Sequence, residues 1–258
     1  MGKVYLVGSG PGDPELLTLK AARVLNTANV VLHDSLVSAE VLAVISPRAE
    51  LINVGKRCGQ KLLTQDEINS LLISLSAAHE IVVRLKGGDP LIFGRAGEEI
   101  EALVNSGTEF EIVPGITAAV GAAAGAKISL TDRRIASQVL FTTVQRGVGD
   151  SDVEWGTLTG STTLVIYMPQ SDYAHVAGLL RERGLPEDMP CVLVSNASRE
   201  NQQVRWTKIS KLPEADHLPA PTLLIVGRVA ARDSSLVGCR WALAHMLAGH
   251  GERPSTVD

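Results

Sequence analysis

The chain has 258 residues, 45% hydrophobic and 20% charged, proportions that are typical of a globular protein and exclude a disordered one. Its formal net charge of −4 argues against a protein that binds nucleic acid with its whole surface, but does not exclude a local basic patch. The cysteines Cys58, Cys191 and Cys239 are far apart and lack metal-ligand spacing, which predicts reduced thiols. The first apolar run is too short for a signal peptide and no run reaches membrane-spanning length, so a cytoplasmic location is expected.

In its first half the chain alternates short apolar runs with amphipathic segments, which predicts a mostly parallel sheet covered by helices. The apolar runs predict strands at residues 4–7, 29–33, 50–54, 80–86 and 109–113. The amphipathic segments predict helices at residues 18–27, 38–45, 64–75 and 98–104, and the Ala- and Gly-rich segment 116–126 predicts a tightly packed helix. Thr18 is expected to cap its helix, and Thr64 with Glu67 forms the pattern of a capping box.

After Arg134 the strands follow one another with short gaps, which predicts a mixed sheet in a second domain. The strands are expected at residues 139–143, 162–168, 191–195, 204–206 and 222–226. One convincing helix, from Tyr173 to Arg183, lies among them, and a short helix at 240–247 is expected in the tail. The predicted fold class is α/β with two domains: an N-terminal domain at 1–115, a connecting helix and linker at 116–136, a C-terminal domain at 137–233 and a tail at 234–258.

A glycine-rich turn, residues 8–14 (GSGPGDP), follows the first predicted strand. Glycines allow a tight turn and a close approach of the backbone to a ligand. A dinucleotide fingerprint fits this turn badly, because the spacing differs, Pro11 lacks an amide donor and Asp13 would repel a phosphate. The alternative interpretation is a rigid turn in which Asp13 caps a helix that starts at Pro14.

A second Gly-Asp-Pro turn, at residues 86–90, also follows a strand, so both turns are expected to face one crevice. Asp89 could accept a hydrogen bond from a ribose or an amino group. Arg95 has the geometry of a bidentate carboxylate binder, or it forms a surface salt bridge to Glu98 or Glu99. At residues 114–119, small side chains at a helix start leave room for an adenosine or a thioether, and close helix packing explains them equally well.

These motifs, in this order, resemble the uroporphyrinogen-III C-methyltransferases of the tetrapyrrole methyltransferase family. The resemblance covers residues 3 to 230 and is most specific in the run KGGDP–IFGR–GEE. It implies two α/β domains with S-adenosylmethionine in the cleft between them, a homodimer, a tetrapyrrole substrate and no metal. The segments that carry it are GPGDPELLTLKA, DSLVS, VGKR, RLKGGDPLIFGRAGEE, VPGITAA, LTDR and IYMP.

The resemblance also implies roles for individual residues. Proton acceptor and donor fall on Asp34 and Lys56, and substrate-side residues on Arg95, Glu98 and Arg133. The implied cofactor-binding residues are Pro11, Gly87, Gly88, Asp89, Ile92, Thr117, Ala118, Met168 and Ala197. In the implied reaction an electron-rich pyrrole carbon attacks the sulfonium methyl group in line, and a carboxylate takes the departing proton or stabilises the cationic ring. Basic side chains would hold the substrate carboxylates: Lys56, Arg57, Arg95, Arg133 and Arg134.

The chain departs from the family pattern mainly on the substrate side. Where the family has Tyr-Asp-Arg, Thr-His-Arg, Thr-Gly-His, Tyr-Met-Gly and Asn-Gly-Thr, the chain reads HDS at 33–35, TDR at 131–133, TVQ at 143–145, YMP at 167–169 and NAS at 196–198. The expected activity is methylation of uroporphyrinogen III at carbons 2 and 7 to precorrin-2, for sirohaem, cobalamin or haem d1. The alternatives are a methyltransferase that acts on another precorrin or electron-rich ring, and a non-catalytic paralogue that binds the cofactor or a tetrapyrrole. Neither nucleic acid nor membrane is an expected partner.

Overall fold

The computed structural model describes residues 2–55, 63–144, 155–156, 158–169 and 171–231. Within these ranges the chain divides into two compact units. The first unit contains the residues up to Gly125 and a later segment, Ser195–Gln203; the second contains Ala126–Val194 and the residues from Val204 onward. The predicted connecting segment, residues 116–136, begins in the first unit and ends in the second. Among the helices of the described ranges, none is both long and apolar enough to cross a membrane.

The first unit contains a five-stranded parallel sheet in the order β3-β2-β4-β1-β5. Its strands are β1 Lys3–Gly8, β2 Val30–His33, β3 Glu50–Asn53, β4 Ile81–Lys86 and β5 Phe110–Val113. Its α-helices are α1 Leu19–Thr27, α2 Ala39–Leu42, α3 Gln65–Ala78, α4 Ala96–Asn105 and α5 Ala118–Gly125. The predicted parallel sheet and its helices are therefore confirmed, with ends displaced by a few residues.

Helices cover both faces of this sheet. One core cluster joins α1 and α2 to the side of β1 that carries Val7, and another joins α3 and α4 to the side that carries Val4 and Leu6. The connection from β1 through α1 reaches β2 on one side of β1, and the connection from β4 through α4 reaches β5 on the other. The chain thus leaves neighbouring strands β1 and β4 in opposite directions, which opens a crevice at their carboxyl ends.

Local sequence signals set the starts of two of these helices. The Thr18 hydroxyl accepts from the Ala21 amide at 3.1 Å. At the start of α3, Thr64 Oγ1 accepts from the Glu67 amide at 3.2 Å, and Glu67 Oε2 accepts from the Thr64 amide at 2.7 Å. Each bond satisfies a main-chain amide that the helix leaves unpaired. Both predicted caps are confirmed.

The second unit holds a mixed sheet, as predicted, and the structure gives its strand order as β6-β7-β10-β8-β9. Strands β6 and β7 are parallel, and β7 and β10 are antiparallel. Helix α6, Tyr173–Glu182, packs its buried side chains into a core that includes Leu164, Ile166 and Leu193. The predicted tail helix at 240–247 lies outside the described residues. The strands are β6 Gln138–Thr143, β7 Thr162–Tyr167, β8 Pro190–Ser195, β9 Gln203–Lys208 and β10 Thr222–Val226.

Candidate active site

Main-chain hydrogen bonds hold together the loops that follow β1 and β4. The Gly88 amide donates to the Gly10 carbonyl oxygen at 2.8 Å, and the Gly10 amide donates to the Gly88 carbonyl oxygen at 3.1 Å. The Ser9 amide donates to the Lys86 carbonyl oxygen at 2.8 Å. The two glycine-rich motifs therefore form one edge at the carboxyl ends of adjacent parallel strands, where ligands bind in open α/β sheets.

Three glycines bring the backbones of three loops into direct contact at this edge. A side-chain carbon at Gly8 would lie 2.6 Å from the Gly88 carbonyl oxygen, and one at Gly115 would collide with the same oxygen. Because only glycine fits where backbones approach so closely, the loop after β5 packs against those after β1 and β4. The edge is consequently built from main-chain atoms rather than from side chains.

The Asp89 carboxylate links two of these loops. Its Oδ1 accepts from the Leu91 amide at 2.8 Å, and its Oδ2 accepts from the Gly115 amide at 2.9 Å. Each carboxylate oxygen has a further lone pair, so Asp89 can accept from a ligand hydroxyl or amino group while it holds the loops. Binding of a ribose or an amino group by Asp89 stays a prediction.

Helix α5 closes the edge with small residues. A side-chain carbon at Gly121 would lie 2.7 Å from Pro11 Cγ and 3.0 Å from Ser198 Oγ. Both the loop after β1 and the segment Ser195–Gln203 therefore pack directly on this helix. The close-packing interpretation of the helix is confirmed, whereas the predicted room for a ligand at its first turn stays a prediction.

The loop after β2, which carries Asp34, joins the same edge. Ser38 Oγ donates to the Gly12 carbonyl oxygen at 2.6 Å. A side-chain carbon at Gly87 would lie 3.2 Å from Leu36 Cβ. Asp34 therefore belongs to a loop that contacts both glycine-rich motifs.

Most of the predicted cofactor-binding residues thus belong to one set of contacting loops in the first unit. Met168 directly follows β7 in the second unit, where its φ of 50° lies in the left-handed region. Asp13, in contrast, caps the 3₁₀ helix Pro14–Leu16 by accepting from the Glu15 amide, as the rigid-turn interpretation expected. The predicted residues on the loops of the first unit, on α5 and on the later segment are Pro11, Gly87, Gly88, Asp89, Ile92, Thr117, Ala118 and Ala197.

Behind Asp34 lies a buried cluster of charges that the sequence analysis did not assign. Arg84 Nη2 donates to Asp34 Oδ1 at 2.6 Å, and Arg84 Nε donates to Glu99 Oε1 at 2.9 Å. Lys86 Nζ donates to the same Glu99 oxygen at 2.9 Å. The side chains of Arg84, Lys86 and Glu99 are 3%, 4% and 0% exposed, whereas that of Asp34 is 28% exposed. Asp34 is therefore the member of the cluster that a substrate can reach.

The electrostatics of this cluster follow from its burial. Burial lowers the pKa of Lys86, the positive charge of Arg84 lowers it further, and Glu99 opposes the shift. A signal for the cluster was present in the sequence IVVRLK, because Arg84 and Lys86 alternate with apolar residues and so face the same side of β4. The partner Glu99 lies on α4, and only the packing of α4 on the sheet reveals it.

Arg95 and Glu98, two predicted substrate-side residues, are paired with each other. Arg95 Nε donates to Glu98 Oε1 at 2.8 Å and Nη2 donates to Oε2 at 2.7 Å, with side chains 61% and 49% exposed. These hydrogen bonds raise the pKa of Arg95 and lower the pKa of Glu98. The surface-salt-bridge interpretation of Arg95 is thus confirmed, with Glu98 as the partner. Exposed pairs contribute little free energy, so this pair can open for another carboxylate.

The chain is similar in sequence and structure to proteins of one known family. Residues 3–213 match the family of Tetrapyrrole (Corrin/Porphyrin) Methylases. The chain belongs to this family. A uroporphyrinogen-III C-methyltransferase from Synechocystis is 44% identical over 96% of each chain. A siroheme synthase from Halorhodospira halophila is 46% identical, and the match covers 88% of this chain and 46% of that protein. The crystal structure of the Thermus thermophilus uroporphyrin-III C-methyltransferase complexed with S-adenyl homocysteine is 38% identical, has a TM-score of 0.76, and covers 88% of this chain and 93% of that one.

Asp132 is one of the predicted substrate-side departures, and the positive charge of Arg134 balances its negative charge. Asp132 stands where the family has a histidine, and its carboxylate accepts from Arg134 Nε at 3.0 Å and Nη2 at 2.7 Å. These bonds lower the pKa of Asp132 to about 2. Arg134 is thereby engaged with Asp132, and the exposed Arg133 between them is the residue to which the resemblance assigns a substrate role.

The structure describes only some of the other positions that the resemblance assigns to the substrate side. His33 is buried at the end of β2, with Nδ1 3.2 Å from the Asp34 carbonyl oxygen, which fits a structural residue. Three positions named above lie outside the described residues: Lys56, Arg57 and Gln145.

The residues at the edge fit S-adenosylmethionine as a ligand. The contacts of Gly8 and Gly115 with the Gly88 carbonyl oxygen leave no room for a side-chain carbon, so the loops present main-chain groups at this edge. Main-chain donors and acceptors with a few apolar side chains suit an adenosine. The Asp89 carboxylate adds an acceptor for hydroxyl or amino hydrogens, and also suits a cationic ligand.

Proposed function

We propose that this tetrapyrrole methylase transfers methyl groups from S-adenosylmethionine to carbons 2 and 7 of uroporphyrinogen III and forms precorrin-2. The observation that carries the proposal is the meeting of the glycine-rich loops after β1, β4 and β5 with the loop of Asp34. The similarity to the Synechocystis and Thermus thermophilus enzymes supports the same acceptor. Precorrin-2 would feed the synthesis of sirohaem, cobalamin or haem d1.

The cofactor, when bound, supplies an electrophilic methyl group on a sulfonium sulfur. The chain's part is to hold the reactants in line and at close distance, because positioning removes much of the barrier of such a transfer. The residues proposed to bind the cofactor are Pro11, Gly87, Gly88, Asp89, Ile92, Thr117, Ala118, Met168 and Ala197.

The substrate side of the proposal assigns proton transfer to Asp34 and Lys56. Asp34 stabilises the positive ring and then accepts a proton that the macrocycle releases from a ring nitrogen or an adjoining bridge carbon, because the methylated carbon already carries a carboxylate side chain and has no hydrogen to lose. The Arg95–Glu98 pair opens so that Arg95 binds a substrate carboxylate with its two parallel donors. Arg133 binds another carboxylate, and Glu98 is the second carboxylate that stabilises the cationic ring or takes the departing proton.

An anaerobic assay tests the proposal. The purified protein is incubated with S-adenosylmethionine and uroporphyrinogen III, and the product mass is expected to rise by two methyl groups. No methylation with S-adenosylmethionine still bound would overturn the proposed acceptor and favour another precorrin or a non-catalytic paralogue.

Arg95→Ala tests the substrate side. We expect the variant to bind S-adenosylmethionine with unchanged affinity by calorimetry but to lose about tenfold or more in kcat/KM, since a charge-assisted hydrogen bond contributes about 1.5–3 kcal/mol. Arg181→Ala is the matched control, because Arg181 is also an exposed arginine paired with a glutamate, Glu187. Tenfold weaker cofactor binding in Arg95→Ala would contradict its placement with the substrate.

The proposal also includes a homodimer in the cytoplasm. The homodimer rests on the resemblance to the family, which works as a dimer of two-domain chains, and the cytoplasmic location is the expectation drawn from the apolar runs of the sequence.

A further inference from the structure

Arg84 occupies a place where an arginine is energetically costly. It lies in the central strand β4 with its side chain 3% exposed, and taking a guanidinium out of water costs several kcal/mol unless its hydrogen bonds are replaced. A buried charged cluster is often no more stabilising than apolar residues of the same volume. Stability alone therefore does not explain why an arginine occupies position 84.

The bonds of Arg84 distinguish it from its neighbour Lys86. Lys86 reaches only Glu99 among these charged groups, so the Lys86–Glu99 pair already ties β4 to α4. Arg84 uses two nitrogens of its guanidinium: Nε donates to the buried Glu99 and Nη2 donates to the partly exposed Asp34. Arg84 therefore connects the fully buried Glu99 carboxylate to the Asp34 carboxylate, which solvent reaches.

This geometry constrains the Asp34 carboxylate. The 2.6 Å bond from Arg84 engages Oδ1, and because a hydrogen bond weakens steeply away from a linear geometry, it favours carboxylate orientations that keep Oδ1 in line with this N–H. Glu99, with no exposed side-chain surface, keeps the guanidinium from turning away. A general base must lie within hydrogen-bond reach of the proton that it takes, so a fixed orientation matters more for Asp34 than for a surface carboxylate.

We infer that Arg84, anchored by Glu99, is a positioning residue that orients the Asp34 carboxylate for methyl transfer. The inference rests on the proposed function, in which Asp34 accepts the proton. Arg84 itself touches neither the substrate nor the cofactor; it acts through Asp34.

A double-mutant cycle tests the inference, with kcat, KM for each substrate, cofactor affinity by calorimetry and thermal unfolding measured for every variant. Arg84→Met is expected to lower kcat about tenfold, a fraction of what general-base catalysis supplies, with little change in KM or cofactor affinity. In the Asp34→Ala background, the same substitution is expected to change kcat less than about twofold, because two residues that act as a unit are not additive.

Two further variants keep the test decisive. Arg84→Lys retains the positive charge but replaces the fork of donors by a single nitrogen, so it is expected to lower kcat while the protein stays folded. Lys86→Met is the matched control, because it removes the other cation from Glu99 without touching Asp34. It is expected to lower the unfolding temperature but to change kcat by the same factor with or without Asp34.

The outcomes separate the inference from the proposed function. Wild-type kcat in Arg84→Lys, or an Arg84→Met loss that is equally large with and without Asp34, would overturn the role of Arg84. An unchanged kcat in Asp34→Ala would instead overturn the proposed proton acceptor. A loss confined to cofactor affinity in Arg84→Met would assign Arg84 to holding the loops.

Discussion

Gly115 shows how a residue without a side chain shapes the edge formed by the loops after β1, β4 and β5. The Gly115 α-carbon lies so close to the Gly88 carbonyl oxygen that any β-carbon would collide with that oxygen. A main-chain atom cannot move aside as the end of a side chain can. The same residue donates its amide to Asp89. A substitution here therefore displaces two loops at once.

We expect Gly115→Ala to lower the free energy of unfolding by about 1–3 kcal/mol, as overpacking does, and to weaken S-adenosylmethionine binding about tenfold or more. Calorimetry and denaturant unfolding measure the two effects. Gly178→Ala in α6 is the control, since a side-chain carbon there meets nothing within 4 Å and replacing a helix glycine stabilises by up to about 1 kcal/mol. Cofactor affinity unchanged in Gly115→Ala would separate this contact from the binding site.

At the scale of single residues, the sequence predicted which residue types shape the site but not which groups they contact. The glycines and Asp89 could be marked from their place after strands, but the backbone partners of Asp89 depend on which loops meet. The pairing of Arg95 with Glu98 was one of two interpretations that the sequence left open, because a spacing of three residues on a helix start fits both. Arg84 and Glu99 are separated by 15 positions, and no local pattern joins them.

At the scale of elements, the pattern of apolar residues predicted the strands of both sheets and most of the helices, because burial of apolar side chains determines both. Helix α5 was predicted instead from its Ala and Gly content. The ends differ where the backbone leaves regular geometry. Strand β7 stops before Met168, whose positive φ breaks the extended conformation. Helix α4 starts at Ala96, two residues before the predicted start, directly after Arg95 in the left-handed region.

The stability of the turn from Asp132 to Ala136 is expected to depend on pH. Asp132 and Ala136 exchange main-chain hydrogen bonds at 2.9 and 2.7 Å, and the Arg134 side chain lowers the pKa of Asp132 to about 2. Because the folded value lies below the ordinary value of about 3.9, the pair stabilises the turn above about pH 4 and this contribution is lost as the pH falls toward 2.

An NMR titration of the Asp132 carboxyl carbon is expected to show a midpoint near 2 in the native protein. In Arg134→Gln the midpoint should return toward the ordinary aspartate value. Arg133→Gln serves as the comparison, since Arg133 acts on Asp132 only through space and its removal should shift the midpoint less. Equal midpoints in the native protein and Arg134→Gln would contradict the assigned cause.

At the scale of the whole molecule, the proposed homodimer predicts a light-scattering mass of twice the 27.3 kDa of one chain. Symmetric pairs are the commonest assembly of soluble proteins, and the resemblance to the family implies one here. A mass of one chain at micromolar concentration would contradict the proposal. The same sample, tested with and without S-adenosylmethionine, would show whether the cofactor affects assembly.

The division of the chain has a consequence for how the protein is made. The first unit is interrupted: α5 ends at Gly125, and the segment that packs on it, Ser195–Gln203, follows only after most of the second unit. Since domains form in order as a chain leaves the ribosome, the face of α5 around Gly121 stays without its covering segment until residue 203 has emerged. A nascent chain halted between these points would hold a finished parallel sheet, but its α5 would lack the segment that packs on it.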